Sequence, residues 1–158
     1  MNLTDYLAIY AAVLSTVVFL WNLASARPKV RVMVIPGVHE EKGVGAYIFV
    51  QNTSAHTVHL SSLSLLYPYT HTTLKEWLSH ILRYRRWPQN VGWVHTRLKE
   101  YGIADGLPLA LEARKAHEVF IPQEKLDFLL QDAARREIRA GVQDELWRDT
   151  YSKPFKFD

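Results

Sequence analysis

The feature that most constrains this chain is the run at 6–26, YLAIYAAVLSTVVFLWNLASA, which carries no charged residue. A helix needs about 20 predominantly apolar residues to cross a hydrocarbon core, and this run supplies them. Its polar members are Ser15, Thr16, Asn22 and Ser25. Ser and Thr hydroxyls bond back to the helix backbone, so they cost little in lipid. Tyr6, Tyr10 and Trp21 lie toward the two ends, where aromatic rings favour the interface. A buried helix of a soluble protein ordinarily keeps a polar stripe, and this one lacks it. A cleaved signal sequence is the competing reading, because Ala24-Ser25-Ala26 has the small-residue form of a cleavage site. But MNLTDY before it has Asp5 and no Lys or Arg, and the apolar run exceeds a usual signal core. Residues 1–26 are therefore read as a transmembrane anchor, and 27–158 as the domain it carries.

Flanking charge sets the expected orientation. The N-terminal side offers Asp5 and the free amine, and the C-terminal side offers Arg27, Lys29 and Arg31. Lys and Arg are retained on the cytoplasmic side. The expectation is a single-pass protein of the bacterial cytoplasmic membrane whose domain faces the cytoplasm. The chain has no cysteine, so disulfide arguments do not arise.

The net charge of +3 is unevenly spread. Residues 71–101 hold Lys75, Arg83, Arg85, Arg86, Arg97 and Lys99 against Glu76 and Glu100, whereas 102–158 are slightly acidic. The pattern beyond the anchor is mostly strand. Val30, Val32 and Val34 alternate with Arg31 and Met33, as in a half-buried strand. YIFVQ at 47–51 is a second run, stopped by the turn cluster Asn52-Thr53-Ser54. Val58, Leu60, Leu63, Leu65 and Tyr67 read as a third, with a change of phase at Ser61-Ser62 that suits a bulge, and Pro68 ends it. Short strands are expected at Leu109 and Leu111, at Val119 and Ile121 after a charged turn at 112–115, at Ile138, Ala140 and Val142, and over Tyr151, Phe155 and Phe157.

Two helices are expected among them. Thr73-x-x-Glu76 has the form of a capping box, and Leu74, Trp77, Leu78, Ile81 and Leu82 then recur at helical spacing as a core face. After Pro122, Leu126, Leu129, Leu130 and Ala133 share a face, with Arg135 and Arg136 expected in the last turn. The predicted fold class is mainly β: an Ig-like antiparallel β-sandwich with a helical insertion at about 71–101, preceded by one transmembrane helix.

No motif in the chain points to catalysis. It lacks G-x-S-x-G, a P-loop, G-x-G-x-x-G and H-E-x-x-H. His56 and His59 face opposite sides of a strand, and His71, His80, His95 and His117 lack ligand spacing, so no metal ligand is assigned. Asp144, Glu145 and Asp149 bracket a hairpin connection near Trp147 and read as solvated turn carboxylates. Catalytic, metal and cofactor residues are therefore expected to be none. The most unusual stretch is 77–99, WLSHILRYRRWPQNVGWVHTRLK, in which basic and aromatic residues interleave. Trp77, Arg83, Arg85, Arg86, Trp87 and Trp93 are the candidate contacts there. Either an anionic lipid surface or a protein partner suits them, because Lys and Arg are attracted to anionic head groups and Trp to the interface. Nucleic acid uses the same residue types, but these aromatics are better placed to bury than to stack on bases.

The chain resembles a large group of uncharacterised bacterial small single-pass membrane proteins. The likeness rests on Ala8-Ile9-Tyr10-Ala11-Ala12-Val13-Leu14-Ser15-Thr16, then Trp21 and Arg27-Pro28-Lys29. It continues in Val50-Gln51-Asn52-Thr53, Leu107-Pro108, Glu112-Ala113-Arg114, Val142-x-Asp144 and Tyr151-Ser152-Lys153-Pro154-Phe155. It implies a membrane-anchored Ig-like sandwich and assigns no functional residue, and 77–99 lies outside the shared pattern. The function expected is a membrane-anchored, non-enzymatic interaction module. The alternatives are an envelope-associated enzyme or enzyme subunit with its site at the helical insertion, which a polar cluster of His80, His95 and Asp105 would favour, and a phage-encoded or phage-defence membrane protein.

Overall fold

A computed structural model of the chain describes residues 2–25, 29–70, 74–85 and 90–157, without the side chains of Ser25 and 74–77. The apolar run forms one helix, α1 (Leu3–Ser25). Its 23 residues reach about 35 Å at 1.5 Å each, and residues 3–24 are long and apolar enough to cross a membrane. Every side chain described in it is exposed, so the protein's own domain does not cover it. Thr16 Oγ1 donates to the carbonyl of Ala12 at 2.8 Å, which satisfies that hydroxyl within the helix.

The rest is mainly β, in antiparallel sheets. The described residues form β1 (Val30–His39), β2 (Gly43–Asn52), β3 (Val58–Pro68), α2 (Leu74–Tyr84), β4 (Trp93–Arg97), β5 (Leu109–Leu111), β6 (Ala116–Pro122), α3 (Gln123–Leu130), β7 (Glu137–Asp144), β8 (Asp149–Tyr151) and β9 (Phe155–Lys156). One sheet has the order β1-β2-β6. The other runs β4-β3-β7-β8, with β5 also on β3 and β9 on β7. Alternation sets what is buried. Val32 and Val34 point inward while Met33 and Ile35 are exposed, and Ile138, Ala140 and Val142 are buried from β7. These residues, with Ile48 and Val50 from β2, Leu63 and Leu65 from β3, Ile121 from β6 and Leu126 from α3, form one core shared by both sheets. The phase change after Leu60 is a break in register between Leu60 and Ser62 against β7. Gly45 is required by close approach: a Cβ there would lie 2.1 Å from the Ile121 carbonyl oxygen on β6.

The strand directions define two ends. The chain enters at Val30, which pairs with Asn52, and the 52–58 connection, the β5–β6 turn and the β7–β8 turn lie at this entry end. The buried Asn52 fastens it. Its Nδ2 donates to the carbonyls of His56 (2.8 Å), Leu111 (2.9 Å) and Glu112 (3.0 Å), and its Oδ1 accepts from the Ser54 backbone N–H (3.0 Å) and Oγ (2.6 Å). From Val58, β3 then runs roughly 30 Å at about 3.3 Å per residue to Pro68. There the helical insertion leaves, at the far end of the domain.

The structure corrects four expectations. Residues 71–101 are not wholly an insertion: Trp93–Arg97 is strand β4, an edge of the second sheet paired from Ser64↔Arg97 to Pro68↔Trp93. A 3-10 turn at Leu98–Tyr101 follows and buries Leu98. Two residues of the core face expected of α2 are not core: Leu78 is 53% and Leu82 80% exposed, whereas Ile81 is half-buried and the side chains of Leu74 and Trp77 lie outside the described residues. Finally, α3 stops at Leu130, so Ala133, Arg135 and Arg136 lie beyond it. Arg136 pairs with Asp127, and Arg135 sits 3.8 Å from Glu137. The last expected strand is two short ones, β8 and β9, separated at Pro154.

Candidate functional site

The named residues of 77–99 separate into two groups. Arg83 and Arg85 are exposed at the end of α2, and the Arg83 guanidinium lies 5.8 Å from the centre of the Tyr84 ring. Arg85 takes a left-handed conformation with φ 49°. Trp77 is on α2, but its side chain lies outside the described residues, as do Arg86 and Trp87 altogether. Trp93 does not belong with them. It opens β4, half-buried, and the neck of the insertion closes beside it through Tyr69 and Thr70, whose N–H groups donate to the Gly92 carbonyl at 2.9 and 3.2 Å.

Trp93 instead joins a surface that the sequence did not single out. On β7 the inward alternation of Ile138, Ala140 and Val142 turns Arg139 and Gly141 outward. The Arg139 guanidinium lies 4.7 Å over the Trp93 ring, a cation–π contact. Tyr151 on β8 pairs with Gly141 and packs its ring across that glycine, beside Leu66. Burial pushes the Tyr151 phenol above its ordinary range. The Asp149 charge and a hydrogen bond to Asp149 add to this, against a hydrogen bond from Asn90. His95 Nε2 lies 2.7 Å from Ser64 Oγ, which donates to the Gly141 carbonyl at 3.0 Å. The outer face of the second sheet thus carries Trp93, His95, Arg139 and Tyr151, with Trp93 at the neck of the insertion. The alternation of β7 was the readable signal for Arg139. The pairing with Trp93 was not readable, because β4 itself was missed.

The residues considered for chemistry have separate partners. His80 stacks on Tyr84 with ring centres 4.7 Å apart, and His95 bonds Ser64. Asp105 is buried, 3.6 Å from Lys99 Nζ, and accepts from the Leu107 N–H at 3.1 Å, while its backbone carbonyl meets His117 Nε2 at 2.6 Å. Among the described residues, no group of three or more His, Asp or Glu side chains is arranged to hold a metal ion. Asp144 closes the β7–β8 turn, its Oδ1 accepting from the N–H groups of Leu146 (2.9 Å) and Arg148 (2.8 Å).

Of the residues flanking α1, Arg27 lies outside the described residues, Lys29 is exposed at the entry end, and Arg31 is exposed on β1. The Lys29 carbonyl accepts from the N–H (2.8 Å) and the hydroxyl (2.9 Å) of Thr53, which fixes the point where the chain joins the domain. No family model matches the chain, and no curated protein or solved structure matches it either.

Proposed function

We propose that this protein is a membrane-anchored, non-enzymatic interaction module: an Ig-like sandwich held at the bacterial cytoplasmic membrane by α1, with its domain in the cytoplasm. The exposed apolar helix α1, followed by Arg27, Lys29 and Arg31, supports the anchor and its orientation. Two antiparallel sheets sharing one core support the sandwich. Kinship with the small single-pass bacterial proteins it resembles is part of the same proposal.

The observation that carries the interaction role is α2. A helix that shows Leu78 and Leu82 to solvent, beside Arg83 and Arg85, has the form of a helix that lies in a partner's groove. It is inserted between β3 and β4, whose ends pair at Pro68↔Trp93 at the far end of the domain. The basic residues favour a protein partner with an acidic rim around an apolar groove. Far-end placement holds α2 away from the lipid next to the chain's entry, so a protein suits these residues better than lipid does.

A photoreactive residue at position 82 of the full chain, in native membranes, is expected to crosslink one discrete protein. Leu78→Asp with Arg83→Glu, made in the chain that carries this photoreactive residue, should abolish that crosslink and leave the melting temperature within about 2–4 °C, because substitutions at exposed positions cost within ±0.5 kcal/mol. Equal crosslinking by the double variant would overturn the assignment.

A further inference from the structure

The β7–β8 turn at the entry end has an unusual composition for its place. Leu146 and Trp147 occupy its tip, 65% and 79% exposed. Trp147 has φ 60°, a left-handed conformation normally left to Gly or Asn and an outlier for a bulky side chain. The turn is also rigid. Asp144 Oδ1 binds two of its N–H groups, the Trp147 N–H donates to the Asp144 carbonyl at 3.1 Å, the Asp144 N–H to the Arg148 carbonyl at 3.1 Å, and the Glu145 N–H to the His59 carbonyl at 3.1 Å. Two large apolar side chains are thus held outward on a preformed loop.

Position says what they meet. Val30, the first strand residue after α1, lines a cleft of about 50 Å³ together with Asp144 and Arg148. The five residue steps from Ser25 to Val30 span at most about 18 Å. If α1 spans the bilayer, the turn is therefore tied close to the head groups of that bilayer. Trp is favoured at this interface. Lys29, Arg114, Lys115 and Arg148 are exposed around the same end, with Glu112 and Glu145 among them. A tether this short raises the effective concentration of the surface into the millimolar range, so a weak contact suffices to hold it.

We propose that Leu146 and Trp147 seat the entry end of the domain in the interface of the bilayer that α1 crosses, standing the domain upright with α2 and the Trp93–Arg139 face turned away from lipid. This rests on the anchor reading of α1. The competing poses are a domain lying on the outer face of the β1-β2-β6 sheet, where Met33, Ile35, Val38 and Val44 are exposed, and a second copy of the chain covering the turn.

The absence of cysteine allows single spin labels in the full chain, reconstituted in vesicles of phosphatidylethanolamine and phosphatidylglycerol. Ala55→Cys reports the entry end, and Glu41→Cys the β1–β2 turn at the far end. The Ala55 label is expected to be shielded from a water-soluble nickel chelate and open to oxygen, and the Glu41 label to be open to nickel. Leu146→Ser with Trp147→Ser should make the Ala55 label as open to nickel as the Glu41 label. Equal shielding of both labels in the otherwise unchanged chain would show a domain lying flat and overturn the proposal. Dipolar broadening at Ala55 without oxygen access would assign the surface to a second copy and also overturn it. An alkaline wash of the same vesicles separates the two readings. Loss of the chain from the membrane defeats the anchor and this inference together, whereas retention with indistinguishable labels defeats the inference alone.

Discussion

Replacing Asn52 by Asp should unfasten the end of the domain where the chain enters. The side chains are nearly the same shape, so the change isolates hydrogen bonding from packing. In the native protein the two Nδ2 protons serve three carbonyls, on the 52–58 connection, on β5 and on the turn that follows, while Oδ1 takes two donors from Ser54. Asp keeps the acceptor and loses both protons. Two lost bonds at about 0.5–1.5 kcal/mol each come to roughly 1–3 kcal/mol, and the carbonyls left facing a carboxylate add a further desolvation penalty of about 1–3 kcal/mol. The sum, about 2–6 kcal/mol, is a large part of the 5–15 kcal/mol that holds a typical domain together. The assay is urea denaturation of a chain truncated to begin at Pro28, followed by tryptophan fluorescence. The pH dependence carries a second signature. A carboxyl pressed against carbonyl oxygens has its folded-state pKa raised above the unfolded value of about 3.9, and when protonated it regains one donor. A raised pKa contributes stability below the unfolded pKa that is lost as pH rises through the folded value. The deficit of Asn52→Asp against wild type should therefore grow between about pH 4 and pH 7. A variant as stable as wild type at pH 7, or a deficit independent of pH, would refute the role given to Asn52.

The full chain should remain with membranes through carbonate extraction, and the chain beginning at Pro28 should be soluble; a mature N-terminus at Arg27 found by sequencing would instead mark α1 as a cleaved signal. A C-terminal alkaline phosphatase fusion should be inactive and a C-terminal green fluorescent protein fusion bright, since Arg27, Lys29 and Arg31 are expected to hold the domain in the cytoplasm; the reverse pair would invert the topology. Ile138→Asp places a charge in the shared core and should unfold the truncated domain, at a cost of several kcal/mol read by thermal melting. In an alkaline absorbance titration of the eight tyrosines, Tyr151→Phe should remove a late-ionising component, because burial and Asp149 favour the neutral phenol in the folded state; loss of an early component would contradict that environment.

Much of the fold was legible because alternation writes burial into the sequence. Val32 and Val34 against Met33, and Ile138, Ala140 and Val142 against Arg139, state their face directly, and Pro68 and the Ser61-Ser62 phase change mark where β3 stops and bulges. Strand β4 was missed for a physical reason. WVHTR has no alternation of apolar with polar residues, since as an edge strand it offers Trp93 and His95 on an outer face that is only partly dry. The spacing of Leu78, Ile81 and Leu82 correctly announces a helix, but Leu78 and Leu82 are not core contacts, while Ile81 is half-buried. Periodicity reports that an apolar face exists, and says nothing of whether the same chain covers it. That difference carries the proposed site: the exposed face of α2 becomes informative only once the structure shows Leu78 and Leu82 in solvent. The Trp93–Arg139 contact joins residues 46 positions apart, and no local pattern announces it.

The two ends of β3 give these separate features one logic. If the entry end is seated on lipid, the root of the helical insertion at Pro68 stands about the length of that strand, roughly 30 Å, from the membrane surface. That exceeds the Debye length of about 8 Å at physiological salt, so the anionic surface cannot steer Arg83 and Arg85 electrostatically. Their charge is then free to act on a partner. Changing Arg83 and Arg85 to Gln in the full chain should slow partner capture in a salt-dependent way, because charges at an interface govern the rate of encounter. It should leave the depth of an Ala55 label in the bilayer as it was. If instead the double variant shifts that label and leaves capture unchanged, α2 lies on lipid and the domain does not stand upright.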